Sequence, residues 1–281
     1  MVTVSYGSGE VLETFLGSLR KFHGSEIHVC VVDNKPGKDG VESVALANGC
    51  VYLALADNPG YGAGMNAGAR ALRAKYGDFD AIFFCNPDLR FLEESIGPLA
   101  DILHSIPDAG SIGPRLLNEN ETTYPSARSI PSIGTGIGHA LFSKVWPSNA
   151  WTRKYQNASD YERRRSAGSL SGAAVMVKSS VFDLIEGWDE KYFMHFEDID
   201  LGWRIGNAGY ENIYEPTIAV EHSGAHSTKK HAVMVERAMT RSAIRFMRKR
   251  YAGFLNTPLR WGIILGLQLR GLIKVRAAQR R

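Results

Sequence analysis

Residues 57–88, DNPGYGAGMNAGARALRAKYGDFDAIFFCNPD, decide how the chain folds. A glycine-rich loop (57–62) leads into a segment of helical period (63–75), then an apolar strand (80–85), and the strand stops at the turn Asn86-Pro87-Asp88. An apolar strand entered from a helix belongs to a sheet covered on both faces. Working outward, the same unit repeats. Upstream lie a β-rich run at 2–6, a helix at 11–22 built on Leu12, Phe15, Leu16 and Leu19, the strand HVCVVD at 28–33, a short helix at 41–47 and a strand at 51–56. Downstream come a helix at 93–104 and a strand at 111–117. The alternation predicts an α/β fold whose parallel sheet carries helices on both faces. Ligands of such sheets bind beyond the carboxyl ends of the strands, where Asp33, Asn58 and Asp88 all fall.

Within that stretch, Gly62, Gly64 and Ala67 match the dinucleotide fingerprint G-x-G-x-x-[GA]. That fingerprint should join the first strand to its helix, with an acid about 20 residues on at the end of the next strand. Here two βα units precede it, and Asp78 and Asp80 come before the following strand. The position disfavours an oxidoreductase. The glycines are expected instead to let a helix N-terminus approach a nucleotide-sugar phosphate or ribose.

The 281 residues are 44% hydrophobic and 22% charged, as in a globular chain with room for a sizeable core. The net charge of +4 is unevenly spread. From Arg237 onward there are twelve Lys/Arg and no Asp or Glu, while the preceding part holds 21 basic and 29 acidic residues. A basic tail on an acidic body suggests an anionic partner at one end. Its last segment, WGIILGLQLRGLIKV, gathers Arg260, Arg270 and Lys274 on one arc of a helix and is otherwise mostly apolar. Such a helix suits a membrane surface, or a second subunit in a homodimer. The basic residues lack the interleaved aromatics of a nucleic-acid platform, so no nucleic-acid partner is expected. The chain opens directly on a β-rich run and has no apolar run of about 18 residues, which predicts a cytoplasmic protein, peripheral on the inner face of the membrane. Cys30, Cys50 and Cys85 lie in strand-like runs without metal spacing and read as buried thiols.

A second stretch, GWDEKYFMHFEDIDLGWRIGNAGY at 187–210, sets Glu197, Asp198 and Asp200 at the start of a helix whose apolar rows are Ile199/Trp203 and Leu201/Ile205. Acids there serve equally well as a helix cap or as an active site. Asp88, at a strand end on a rigid turn, suits a hard divalent cation, Mg²⁺ or Mn²⁺, which needs further ligands. His222, at the end of a run at 218–221, is a candidate second ligand or a structural histidine. Between 118 and 167 the periodicity is weak, with Trp146, Trp151, Tyr155 and the run Arg163–Arg165. A connection that long points to function.

VTVSYGSG (2–9), VVDN (31–34), DNPGYGAGMNAG (57–68), NPD (86–88), SGAAVMVK (171–178) and GWDEKYFMHFEDIDLGWR (187–204) occur in one order and spacing. The chain thereby resembles the family 2 glycosyltransferases of the GT-A fold over residues 1–225. YPSARSIPS (124–132), HALFSKVWPSNAWTRKY (139–155) and AHS (225–227) are similar to the actinobacterial members that move L-rhamnose from dTDP-rhamnose to a polyprenyl-diphosphate-linked N-acetylglucosamine in cell-wall synthesis. The resemblance implies a GT-A domain over 1–228, with a nucleotide-sugar half (1–117) and an acceptor half (118–228), followed by a helical extension (229–281). It implies that Asp33 and Tyr6 meet the base, while Asn58, Gly60, Gly62 and Asn66 line the donor. Asn86 takes the place of the first acid of the family's D-x-D, leaving Asp88 as the dependable carboxylate ligand. His222, 24 residues after Asp198, matches the family's metal histidine. Asp198 matches the catalytic base, with Glu197 beside it. Arg128, Arg163, Arg164 and Trp188 are expected on the acceptor side. Another nucleotide-sugar donor, or a non-catalytic binding module, are the alternatives.

Overall fold

The computed structural model describes residues 1–132, 160–224 and 232–279. The motifs at 139–155 and 225–227, with Trp146, Trp151 and Tyr155, lie outside the described residues.

The first half runs β1 (Val2–Ser5), α1 (Gly9–His23), β2 (Cys30–Asp33), α2 (Val41–Ala47), β3 (Val51–Ala54), α3 (Tyr61–Tyr76), β4 (Ala81–Cys85), β5 (Leu89–Phe91), α4 (Ile96–Ser105) and β6 (Ala109–Leu117). Short strands follow: β7 (Thr123–Tyr124), β8 (Ala127–Arg128), β9 (Arg165–Ala167) and β10 (Ser169–Leu170). The rest is β11 (Ala174–Lys178), α5 (Ser179–Leu184), α6 (Glu197–Asn207), β12 (Glu211–His222), α7 (Ala232–Arg250) and α8 (Thr257–Gln279).

The main sheet has the order β3-β2-β1-β4-β11-β6-β12-β5. β1 pairs in parallel with β2 and β4, β2 with β3, and β6 with β12. The sheet is mixed, because β11 runs antiparallel between β4 and β6. It is still mostly parallel, with helices on both faces, as expected. One face carries Leu12, Phe15, Leu16 and Leu19 of α1 with Leu99 and Leu103 of α4. The other holds Met65 and Leu72 of α3, Phe84, Phe182, Trp188 and Ile205. The three cysteines are buried and free.

This topology assembles a site from distant segments. The ends of β1, β2, β4 and β12 share one edge, and antiparallel β11 starts there. Leu89 of β5 pairs with His222, which brings Asp88 beside it. β12 is longer than the expected run at 218–221. Its register shifts between Glu215 and Ala219, where Pro216 sits in a bulge that accommodates its missing N–H.

The glycines of α3 serve close packing within the protein. A Cβ on Gly64 would lie 2.8 Å from Val4, and one on Gly68 2.4 Å from Val2, so both let the helix lie close on β1. Gly60 has φ +102°, and a Cβ there would stand 2.4 Å from the Phe193 carbonyl. That carbonyl accepts the Tyr61 N–H at 3.1 Å, while Gly62 abuts Trp188. The N-terminus of α3 therefore docks on residues 188–193.

The basic tail is also partly turned inward. Asp189 accepts from Arg245 at 2.7 Å and from Lys249 at 2.9 Å, and Lys249 reaches buried Asp200 at 2.5 Å. Asp200 further accepts from Tyr192 at 3.2 Å and Arg204 at 2.7 Å. These bonds pin α7 onto α6, helped by Phe246 against Phe196 and Trp203. α8 departs from a simple amphipathic split: Ile263, Ile264 and Gly271 are buried, while Trp261, Leu265, Leu269, Leu272 and Ile273 are exposed. The guanidinium of Arg260 folds back onto the carbonyls of Tyr251 and Ala252.

Candidate active site

Just beyond the end of β4, Asp88 is half-buried. One of its oxygens, Oδ2, accepts the Gly224 N–H at 3.1 Å. The other, Oδ1, has no hydrogen-bond partner and lies 3.4 Å from His222 Nε2. The Asn86 amide stands 3.3 Å from the same ring nitrogen. Burial pushes the Asp88 carboxyl up, but the His222 ring and the N–H groups of Asp88 and Gly224 outweigh it and hold the group below its ordinary range. An ionised, buried oxygen beside an imidazole nitrogen is a donor pair that fits a hard or borderline cation. Among the described residues no three His, Cys, Asp or Glu side chains converge, so a cation here needs the ligand's own oxygens as well.

Across the same edge, Asp198 opens α6. Its Oδ1 accepts the Ile199 N–H at 2.8 Å and its Oδ2 the Gly172 N–H at 3.4 Å. Gly172, just before β11, passes so close that a Cβ would meet Tyr61 at 3.3 Å and Asp198 at 3.6 Å. Beneath it, Tyr61 donates to the Gly172 carbonyl at 2.6 Å and packs edge-on against Trp188. Asp198 thus sits on a fixed floor, half-buried, with both oxygens oriented. Its neighbour Glu197 is buried, with Oε2 unpartnered. Burial first, and the neighbouring Asp198 carboxylate second, push the Glu197 carboxyl well above its ordinary range. The two adjacent acids therefore differ in setting: Glu197 is buried, while Asp198 is half-buried with both oxygens oriented by N–H groups.

The segment leading into Glu197 is unusual. His195 and Phe196 have φ +64° and +68°, left-handed values that non-glycine residues seldom adopt. This pair turns the chain sharply into α6. The Ser242 hydroxyl of α7 secures the turn by donating to the Met194 carbonyl at 2.9 Å.

The residues expected on the donor side lie at β1 and β2 and in the loop before α3. Asp33 is buried; its Oδ1 accepts the Lys35 N–H at 2.9 Å and its Oδ2 the Tyr52 hydroxyl at 3.0 Å. Tyr6, after β1, is exposed, with Lys35 Nζ 5.2 Å from its ring centre. Asn58 holds a left-handed turn at φ +43° ahead of Gly60. Asn66 stands apart from the donor contact expected of it: its amide donates to Trp188 O and Glu190 Oε1 and accepts the Trp188 N–H, all at 2.9 Å. It is a clamp between α3 and the 187–190 loop.

The expected acceptor residues divide. Trp188 is 1% exposed and packed against Tyr61 and Phe84, so it belongs to the core. Arg164 binds the buried carboxylate of Glu215, whose other oxygen is held by Thr217. Arg163 is 84% exposed and 3.8 Å from Asp160. Of the four, Arg128 reaches the edge that carries His222: it donates to the Tyr124 hydroxyl at 2.8 Å and lies over that ring, which meets His222 edge-on. Sequence reasoning misses Tyr61, Gly172 and Tyr52. Gly172 lies inside the SGAAVMVK motif, but its close approach is a three-dimensional fact.

The glycosyl transferase family 2 profile matches residues 1–183. The N-acetylglucosaminyl-diphospho-decaprenol L-rhamnosyltransferase of Mycobacterium tuberculosis is 35% identical, over all of this chain and 94% of its own length. The chain belongs to glycosyl transferase family 2. Rhamnosyltransferase WbbL of Escherichia coli is 24% identical over 89% of this transferase and 92% of its own length. Among solved structures, the mannosyltransferase PcManGT from Pyrobaculum calidifontis, in complex with GDP-Man and Mn²⁺, superposes with a TM-score of 0.59 at 12% identity. It covers 99% of the transferase and 72% of that chain, which establishes the GT-A-like fold. No helix among the described residues is long and apolar enough to cross a membrane.

Proposed function

We propose that this transferase moves L-rhamnose from dTDP-rhamnose to a polyprenyl-diphosphate-linked N-acetylglucosamine, with inversion at the anomeric carbon. One observation carries the chemistry: Asp198, oriented by two N–H groups, faces the same sheet edge as the unpartnered Asp88 oxygen and His222. The similarity along the full chain to a decaprenol-linked N-acetylglucosamine rhamnosyltransferase supports the substrate pair.

Each residue has its own part in the reaction. Asp33 and the Tyr6 region receive the base, near the ends of β1 and β2. Asp198 takes the proton of the acceptor hydroxyl while that oxygen bonds to the anomeric carbon and the bond to the diphosphate breaks. Glu197, whose burial disfavours its charged form, supports Asp198 from behind. Asp88 and His222, with Asn86 at their side, would hold Mg²⁺ or Mn²⁺; the cation neutralises charge on the leaving diphosphate. Manganese in the PcManGT structure supports a divalent cation.

The acceptor's lipid calls for a membrane, and the outward face of α8 suits one. Phe254 and Leu255, 89% and 92% exposed, precede Trp261, Leu265 and Leu269, and no acid occurs beyond Glu236. This composition favours an anionic cytoplasmic leaflet. Deleting residues 258–281 should release the protein from anionic liposomes in co-sedimentation; unchanged binding would contradict the membrane role.

The test of transfer is direct. Wild-type protein with Mn²⁺ or Mg²⁺ should convert dTDP-rhamnose and the lipid-linked acceptor to a product heavier by one deoxyhexose, with the donor's anomeric configuration inverted. Preferential use of a UDP- or GDP-sugar, or a retained configuration, would overturn the reading.

A further inference from the structure

The polar atoms left unpartnered near Asp198 extend beyond the groups used so far. His195, on the left-handed turn before Glu197, has its Nε2 buried with no hydrogen-bond partner. Glu236, in the first turns of α7, has its Oε2 buried in the same condition. The two lie within electrostatic reach of one another: the carboxylates of Asp198 and Glu236 and the guanidinium of Arg128 are the charges that act on the His195 ring. α7 is fastened here by the Ser242–Met194 bond and by Phe246 on Phe196, so Glu236 approaches on a rigid element. A buried donor or acceptor without a partner is unfavourable, and two such atoms within electrostatic reach of one another call for a ligand that satisfies both.

We propose that His195 and Glu236 form a subsite for the hydroxyl groups of the acceptor sugar, immediately beside Asp198, so that the helical extension completes the acceptor site. The proposal rests on the reading that the acceptor ends in a sugar. The chemistry of the pair selects that class of ligand. A carboxylate accepts hydrogen bonds from hydroxyls and repels phosphate, and a second carboxylate, Asp198, acts on the same His195 ring. A buried imidazole, which burial holds largely neutral, offers one donor and one acceptor, matching a hydroxyl on either side. Arg128 closes the group on the Tyr124 side, where a diphosphate would pass.

Glu236→Gln and His195→Gln keep size and polarity while changing the hydrogen-bonding pattern. Octyl-diphospho-N-acetylglucosamine is titrated calorimetrically into the full-length protein in the presence of dTDP, beside octyl diphosphate as the probe lacking a sugar. Each variant should bind the sugar probe about tenfold more weakly than wild type. Affinity for dTDP, for octyl diphosphate and the melting temperature should be unchanged. If one variant is misfolded, the other carries the test. Wild-type affinity for the sugar probe in a folded variant, an equal loss of affinity for octyl diphosphate, or no binding of the sugar probe to wild type would each overturn the subsite. Turnover of dTDP-rhamnose by the wild type is measured in parallel. Sugar-dependent binding without turnover would remove the transfer reading and leave the subsite standing.

Discussion

Two pairs of acids in this molecule look alike in sequence and differ in company. Asp189 and Asp200 are saturated: Arg245, Lys249, Arg204 and Tyr192 occupy their oxygens. Asp88 and Asp198 are held mainly by backbone N–H groups, and Asp88 keeps one buried oxygen unpartnered. The first pair joins the helical extension to the catalytic helix. The second pair faces the end of the sheet with capacity to spare. An acid whose oxygens are taken up by side chains of the same chain, cations above all, contributes to stability, whereas an acid oriented by amides and left partly open can act on a ligand.

The contrast can be broken by exchanging what each acid loses. Asp200→Asn leaves Lys249 and Arg204 facing a neutral group in a buried place. It should lower stability by about 3–5 kcal/mol in urea unfolding and loosen α7 in hydrogen exchange. Asp88→Asn should do the opposite, with melting nearly unchanged and kcat/KM falling roughly a hundredfold or more. A variant that melts early but transfers normally would reverse the assignment.

Asp189 sharpens the comparison through pH. Burial pushes its carboxyl up, but Lys249 and Arg245 outweigh that and hold it at about 2, below the ordinary 3.8. A depressed acid stabilises the fold above its unfolded value, and that contribution fades as pH falls from 3.8 toward 2. At neutral pH, Asp189→Asn should cost about 2 kcal/mol, and the gap to wild type should narrow steadily in acid unfolding between those values. A gap independent of pH would show that the ion pairs contribute little. The smallest effect is expected at Arg163, exposed and only loosely near Asp160: Arg163→Ala should change stability by less than about 0.5 kcal/mol and acceptor KM by less than about twofold.

Much of the fold and part of the site are legible in the sequence. The apolar rows of α1, the strand ends at Asp33 and Asp88 and the acidic start of α6 follow from local periodicity, which side-chain burial imposes directly. What is not legible depends on contacts between distant segments. Nothing local says that the Phe193 carbonyl will stand against Gly60, or that the Asn66 amide will be bound by Trp188. The Arg245 and Lys249 charges read as a surface for an anionic partner, because nothing local says that Asp189 and Asp200 will meet them. The strand at β12 reads as short because Pro216 looks like a break, while the sheet absorbs it as a bulge.

The central claim is that Asp198 is the base and that its role is separate from donor binding. Asp198→Asn tests it in one preparation, with dTDP affinity by calorimetry and transfer by product mass. The account predicts unchanged dTDP affinity and a melting temperature close to wild type, with transfer reduced by a factor on the order of 10³ or more. Transfer within about tenfold of wild type in the Asn variant would contradict it.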